Sequence, residues 1–145
     1  MDALKEAVRE LKLYNYRKAS LKNITKHLAE LEDRTTRLKS SGDFKEVVSF
    51  GGMNSGDQLI NLLSEIEDLK HNYNWVNHLI NRVDRGLELL SPEERLVLEK
   101  FYIRRTRRYL DELIEELFYE RTSIYRMKDE ALRKFTIALY GIERL

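Results

Sequence analysis

The sequence predicts an all-α fold in which a long, coiled-coil-like antiparallel helical hairpin precedes a compact unit of short helices. Charged residues make up 35% of the 145 residues, and the chain contains a single proline. Leu, Ile and Val recur at alternating spacings of three and four residues, which place them on one face of a helix. This combination is typical of long helices rather than of β-rich or disordered chains.

The first predicted helix covers residues 3–39. Its apolar stripe is interrupted at Lys18 and Thr35, and two consecutive steps of three residues at Leu21 and Ile24 shift its phase. The stripe consists of Leu4, Ala7, Leu11, Tyr14, Leu21, Ile24, Leu28, Leu31 and Leu38.

The second predicted helix covers residues 57–90 and has the more regular apolar stripe. Asp57, which follows Gly56, is a suitable N-cap because its carboxylate can accept hydrogen bonds from the first turn. The stripe consists of Leu59, Leu62, Ile66, Leu69, Tyr73, Val76, Ile80, Val83, Leu87 and Leu90.

A Ser-, Gly- and Asn-rich loop over residues 40–56 joins these two helices, so residues 1–90 are predicted to form one hairpin domain. Residues 1–41 contain ten Lys/Arg against six Asp/Glu, and residues 42–90 contain four against eight. The opposite net charges favour antiparallel pairing. Two helices cannot bury both stripes completely, so we expect a further partner, either the rest of the chain or another copy in a homo-oligomer.

A second domain is predicted to begin at residue 91. Ser91 is a good N-cap, Pro92 suits the first helical position, and Glu94 can complete a capping box with Ser91. The helix that begins at Pro92 should end near Ile103. A basic connection, "RRTRR" at residues 104–108, follows it.

Residues 109–141 have the apolar pattern of a helix-turn-helix, in which two short helices cross across a brief turn. A helix of about residues 121–138 would be the recognition helix in the major groove. Its outer face carries Arg121, Thr122, Tyr125, Arg126, Asp129 and Arg133, which include types that bind base edges and phosphates. The positions predicted to face inward are Leu113, Ile114, Leu117, Ile124, Met127, Ala131, Phe135 and Ala138.

The same apolar spacing also occurs in helical pairs that bind no DNA, and the predicted turn departs from the usual chemistry. Phe118 stands where a turn commonly has Gly, and Ile114 where a small residue is usual. Glu120 occupies the position of a Ser or Thr N-cap. An acidic run on the first helix would repel phosphate if it faced DNA; it consists of Asp111, Glu112, Glu115 and Glu116.

Residues 91–141 resemble the helix-turn-helix of sigma-factor region 4. The resemblance rests on "SPEERLVLEKFYI", on the "YLDELIEELFYERTSIYRMKDEALRKF" segment and on their order. The chain as a whole is similar to phage and prophage late-gene transcriptional regulators of the ArpU/RinA type. This resemblance implies a sequence-specific DNA-binding transcription regulator, either an activator or a sigma-like factor. Its partner would be promoter DNA, with host RNA polymerase as a further candidate partner.

The resemblance also implies which side chains contact DNA. Base or phosphate contacts would come from Arg121, Thr122, Ser123, Tyr125 and Arg126, and Lys128 and Arg133 on the same helix complete this set of candidates. Phosphate anchors would come from the basic connection, at Arg104, Arg105, Arg107 and Arg108. A solvated loop is the alternative interpretation of these four arginines.

Two other functions remain open from the sequence. A small terminase-like subunit for phage DNA packaging would share the helix-turn-helix and the oligomerising helices, and a helical adaptor would bind no DNA. We expect neither an enzyme nor a cofactor, because no nucleophile–base order or phosphate loop occurs. His71 and His78 lie about 10 Å apart along one helix, too far apart for one metal ion.

The chain has no cysteine, and no apolar run is as long as the roughly 18 residues of a membrane span. The N-terminus lacks the apolar segment of a signal peptide. These features predict a soluble, cytoplasmic protein that does not enter membranes, and the resemblance to phage regulators implies that this cytoplasm is that of the bacterial host.

Overall fold

The computed structural model describes residues 2–40 and 55–141, which form helices and no strand. The prediction of an all-α fold is therefore confirmed. The elements are α1 (Ala3–Ser40), α2 (Ser55–Glu88), α3 (Pro92–Leu98), a π-helical segment (Glu99–Ile103), α4 (Tyr109–Leu117) and α5 (Arg121–Tyr140).

The two long helices end within two residues of their predicted bounds. The predicted N-cap of α2 is wrong. The helix begins at Ser55, so Asp57 lies in its first turn rather than at the N-cap. The predicted loop at residues 40–56 lies largely outside the described residues.

The chain divides into two compact units. The first comprises Met1–Arg17 and His78–Leu145, and the second comprises Lys18–Asn77. Residue 90, where the sequence predicts a domain boundary, lies inside the first unit. The reason is a shared core, in which buried residues from α1, α2, α3 and α5 pack together with Leu90 of the α2–α3 connection. These residues are Ala7, Leu11, Val83, Leu87, Leu90, Leu98, Ala131, Leu132 and Phe135.

In the first unit, the start of α1 runs antiparallel to the end of α2. The Tyr14 hydroxyl donates a hydrogen bond of 2.5 Å to Asp84. The amide of Asn15 donates to the carbonyl of Ile103 at 3.0 Å, and Arg82 donates to the carbonyl of Leu139 at 3.2 Å. These bonds fasten the long helices to the region that contains α5.

In the second unit, the remaining parts of α1 and α2 also run antiparallel. His27 Nε2 lies 3.8 Å from a carboxylate oxygen of Glu65. Thr35, which interrupts the predicted stripe, is nevertheless buried, and its hydroxyl donates to the carbonyl of Leu31 at 2.8 Å. A threonine can therefore occupy this stripe because its own helix satisfies its hydroxyl.

The predicted capping box at the start of α3 is confirmed. The backbone N–H of Glu94 donates to the Ser91 hydroxyl at 3.2 Å, and the backbone N–H of Ser91 donates to the Glu94 carboxylate at 3.1 Å. The helix ends at Ile103 as predicted, but its last five residues form a π-helical segment. This wider turn ends with the Arg104 N–H bonded to the carbonyl of Glu99 at 2.7 Å.

Candidate nucleic-acid interface

The turn between α4 and α5 consists of three residues, Phe118, Tyr119 and Glu120. Phe118 has φ 58° and ψ 33°, the left-handed conformation that glycine usually provides at the end of a helix. Its N–H donates to the carbonyl of Ile114 at 3.0 Å. The chain therefore makes a tight helix-turn-helix turn without glycine, with a strained aromatic residue in that place.

The turn is fastened to α3 through Tyr119. Its hydroxyl donates to the carboxylate of Glu93 at 3.1 Å, and this bond to an anion raises the pKa of Tyr119. Glu120 has the extended backbone of an N-cap residue, yet its side chain makes no capping hydrogen bond. The first N–H groups of α5 therefore receive no cap from Glu120, and a helix N-terminus in this state favours anions.

The inner side of the helix-turn-helix packs as the apolar pattern predicts. Leu113 of α4 and Ile124 of α5 are fully buried and share a cluster with Val97 and Phe101. Further along α5, Ala131 and Phe135 are also fully buried. The prediction for Ala138 is wrong: it is exposed, and the neighbouring Leu139 packs against the core instead.

The outer side of α5 carries an exposed polar stripe formed by Thr122, Arg126, Asp129 and Arg133. Their spacings of four, three and four residues place them on one helix face. We call this set, together with the adjoining exposed residue Arg121, the α5 stripe. The described contacts include no ion pair for Arg121 or Arg126, whereas Arg133 pairs with Glu130 at 2.9 Å. Two guanidinium groups on this face are thus available to a ligand.

Two candidate residues beside the α5 stripe, Tyr125 and Ser123, are partly buried or packed against other residues of the protein. The ring of Tyr125 packs edge-on against Phe101, with centroids 5.8 Å apart, and Tyr125 remains 40% exposed. Ser123 is half-buried. Tyr125 can therefore present an anchored aromatic edge, while Ser123 is less accessible than the sequence suggests.

Lys128, also predicted to contact DNA, lies against aromatic rings. Its ammonium is 2.6 Å from a carboxylate oxygen of Asp129 and 5.8 Å from the centre of the Phe101 ring. Burial by itself would lower the pKa of Lys128, but the bond with Asp129 and the nearby Tyr102 and Tyr125 outweigh it and raise that pKa. Lys128 is charged, but its side chain is turned towards the protein.

The four arginines of the basic connection are all exposed, and three of them have partners inside the chain. Arg104 pairs with Glu99 at 2.7 Å, and Arg108 lies 3.4 Å from Glu115. Arg105 lies over the Tyr109 ring, 4.1 Å from its centre, and donates to the Tyr109 hydroxyl at 2.7 Å. No described contact engages Arg107.

Glu112, part of the acidic run on α4, holds the basic connection in place. Its carboxylate accepts hydrogen bonds from Lys100 at 2.8 Å and from Thr106 at 3.0 Å. These bonds lower the pKa of Glu112. The sequence analysis missed this role, and no local signal marks it, because Lys100 and Glu112 are 12 residues apart and belong to different elements.

No protein-family model, curated protein or solved structure matches the chain. Within the described ranges, no group of three or more His, Asp or Glu side chains could hold a metal ion. None of the helices described is long and apolar enough to cross a membrane. The candidate interface therefore rests on the geometry of α4, α5 and the basic connection.

Proposed function

We propose that this protein is a sequence-specific DNA-binding regulator of transcription, acting on phage or prophage genes as an activator or a sigma-like factor. The observation that carries the proposal is the tight three-residue turn that joins α4 to a long α5 with the exposed α5 stripe. In a helix-turn-helix, the second helix lies in the major groove and the residues near its N-terminus contact base edges.

The charges on the candidate interface support this assignment. Arg121 and Arg126 lie in the first two turns of α5 and are exposed. Arginine binds guanine through two parallel hydrogen bonds in the major groove. Thr122 lies one turn before Arg126 and can bind a phosphate or a base edge. Arg107, exposed in the basic connection, is suited to a phosphate contact.

A binding titration tests the proposal directly. A preferred site is first selected from a pool of random duplexes, and fluorescence anisotropy then measures affinity for that site and for a scrambled duplex. We expect Arg126→Ala to weaken binding to the selected site by about 1–3 kcal/mol and to change the scrambled duplex less. Arg107→Ala should weaken both and reduce the salt slope by about one.

Arg37→Ala is the matched control, because Arg37 is an exposed arginine on α1, far along the chain from the candidate interface. It should leave both affinities unchanged. If Arg121→Ala and Arg126→Ala behave like Arg37→Ala, α5 is not a recognition helix. If the unmodified protein shows no salt-dependent binding to any duplex, it is a helical adaptor and the proposal fails.

A further inference from the structure

The described part of the second unit has little buried apolar surface for the number of apolar residues in it. Among the described residues, only Leu31 and Ile66 are buried apolar side chains of this unit. The other stripe residues are half-buried: Leu21, Ile24, Leu28, Leu38, Leu59, Leu62, Leu69, Tyr73 and Val76. Two helices alone leave the flanks of such a stripe open, and bundles close them with further helices.

The start of α2 is apolar well beyond its stripe. Ile60 is 64% exposed and Leu63 is 42% exposed. Both lie beside the stripe residues Leu59 and Leu62, so the segment 59–63 is apolar except at Asn61. A helix that is apolar on most sides is normally buried. Trp75, on the same helix, is also 59% exposed.

The charges of the second unit suit a second copy of the chain as the partner of this surface. On α1, exposed Lys18, Lys22 and Lys26 recur every four residues and form a basic row. On the part of α2 that belongs to this unit, the exposed acidic side chains are Asp57, Glu65, Glu67 and Asp68. Over the described part of this unit, α1 also carries the exposed acidic residues Glu30, Glu32 and Asp33, but it has six Lys/Arg against three Asp/Glu, whereas α2 has one against four. One copy thus carries a helix of net positive charge beside a helix of net negative charge. A two-fold axis parallel to the helices brings each helix of one copy to the oppositely charged helix of the other, so the surface is complementary to itself.

We propose that the second unit is a dimerisation module, in which two copies of the chain pack residues 18–77 together as an antiparallel four-helix bundle. The apolar segment 59–63 and the open flanks of the stripe form the contact, and the basic row of each copy faces the acidic helix of its partner. The inference does not depend on DNA binding, because it uses none of the residues of the candidate interface.

Sedimentation equilibrium of the full chain, without DNA, tests this inference over a wide range of protein concentration. The expected result is a monomer–dimer equilibrium. The Ile60→Glu/Leu63→Glu variant should lose the dimer, while its circular dichroism still shows a helical protein. Leu89→Glu is the matched control, since Leu89 is an exposed leucine of the first unit, and it should keep the dimer.

Charge reversal distinguishes a partner copy from unspecific apolar association. Lys22→Glu/Lys26→Glu should weaken the dimer, and adding Glu65→Lys/Asp68→Lys to the same chain should restore it, because each copy again carries helices of opposite charge. A monomer at all concentrations would overturn the proposal. So would a ring of many copies, or a loss of association in Leu89→Glu equal to that in the α2 variant.

Discussion

At the scale of single residues, Phe118 is the position where sequence and backbone disagree most. It is the only non-glycine residue with a positive φ among the described residues. A left-handed conformation costs an L-residue about 1–2 kcal/mol, and a side chain that is 89% exposed gains little from burial in return. The turn therefore exists because the packing of α4 and α5 on both sides enforces it.

Phe118→Gly should stabilise the protein by about 1 kcal/mol, because glycine adopts this conformation without steric strain. Urea unfolding followed by circular dichroism measures the change. Phe118→Ala is the control: it removes the same exposed ring but keeps the strain, so it should gain much less. Equal stabilisation by both variants would show that the exposed ring, rather than the backbone, is unfavourable.

Glu94 links the start of α3 to α5, since its carboxylate accepts a hydrogen bond from Lys134 at 2.9 Å. Burial raises its pKa, but hydrogen bonds from Lys134 and Ser91 outweigh burial, so the pKa is lowered from its ordinary value near 4.5. A lowered carboxyl pKa contributes stability that is fully present above the ordinary value and is lost as pH falls through the folded-state pKa.

The free energy of unfolding should therefore fall as the pH drops below about 4.5, and part of this fall should be absent in Glu94→Gln. Glutamine keeps the capping box, since its side chain still accepts from the backbone of Ser91, but it cannot titrate. Unfolding curves at a series of acidic pH values compare the two proteins. Parallel pH profiles would mean that Glu94 contributes no such dependence.

At the scale of elements, the sequence predicted what local chemistry determines. Ser91, Pro92 and Glu94 are residue types that favour the start of a helix, and they predicted the start of α3. The bounds of the helices followed from the spacing of apolar residues. The π-helical segment and the left-handed Phe118 were not predictable in this way, because both result from packing between elements. Phe101, for example, contacts Tyr109 of α4 and Tyr125 of α5, and no local signal marks those contacts.

The candidate interface shows the same division. Arg121 and Arg126 were predictable as exposed because helical periodicity assigns each residue of α5 to a face. The contact of Lys128 with the Phe101 ring was not, since Phe101 comes from another element. The periodicity of the sequence thus separates buried from exposed residues of a helix, but it does not reveal which exposed Lys and Arg side chains already contact other residues of the protein.

The close packing of α2 against α5 depends on Gly86. A Cβ atom added there would lie 2.8 Å from the ring of Phe135, closer than real contacts allow. Alanine normally improves a helix interior by about 1 kcal/mol relative to glycine, but overpacking a core costs about 1–3 kcal/mol. Gly86→Ala should therefore destabilise the protein, as thermal unfolding would show.

Shortening the opposing side chain provides the control for that prediction. Phe135→Leu alone should destabilise the protein by leaving space, and Gly86→Ala combined with Phe135→Leu should be less destabilising than the two effects added together. Simple additivity would mean that the new methyl group does not meet the ring.

At the scale of the whole molecule, the helix-turn-helix shares its core with residues distant in sequence. Ala7 and Leu11 of α1, and Val83 and Leu87 of α2, pack in the same cluster as Phe135 of α5. A boundary at residue 90 would cut through this cluster. The sequence suggested the boundary because Ser91 begins a helix, but a helix start does not mark the edge of a core.

A fragment of residues 91–145 should therefore not fold as a stable domain. Removing the four residues of α1 and α2 exposes the face of α5 around Phe135, and apolar surface lost from a core destabilises a small domain by several kcal/mol. Circular dichroism should show reduced helicity and a broad, non-cooperative thermal transition.

Leu11→Ala in the full chain removes part of the same core and should lower the free energy of unfolding by about 2–5 kcal/mol. Leu89→Ala, at an exposed position, should lower it little. A fragment that unfolds cooperatively would show that residues 91–145 fold independently, as the sequence predicts, and that the contacts of Leu11 and Val83 add to a core that is already sufficient.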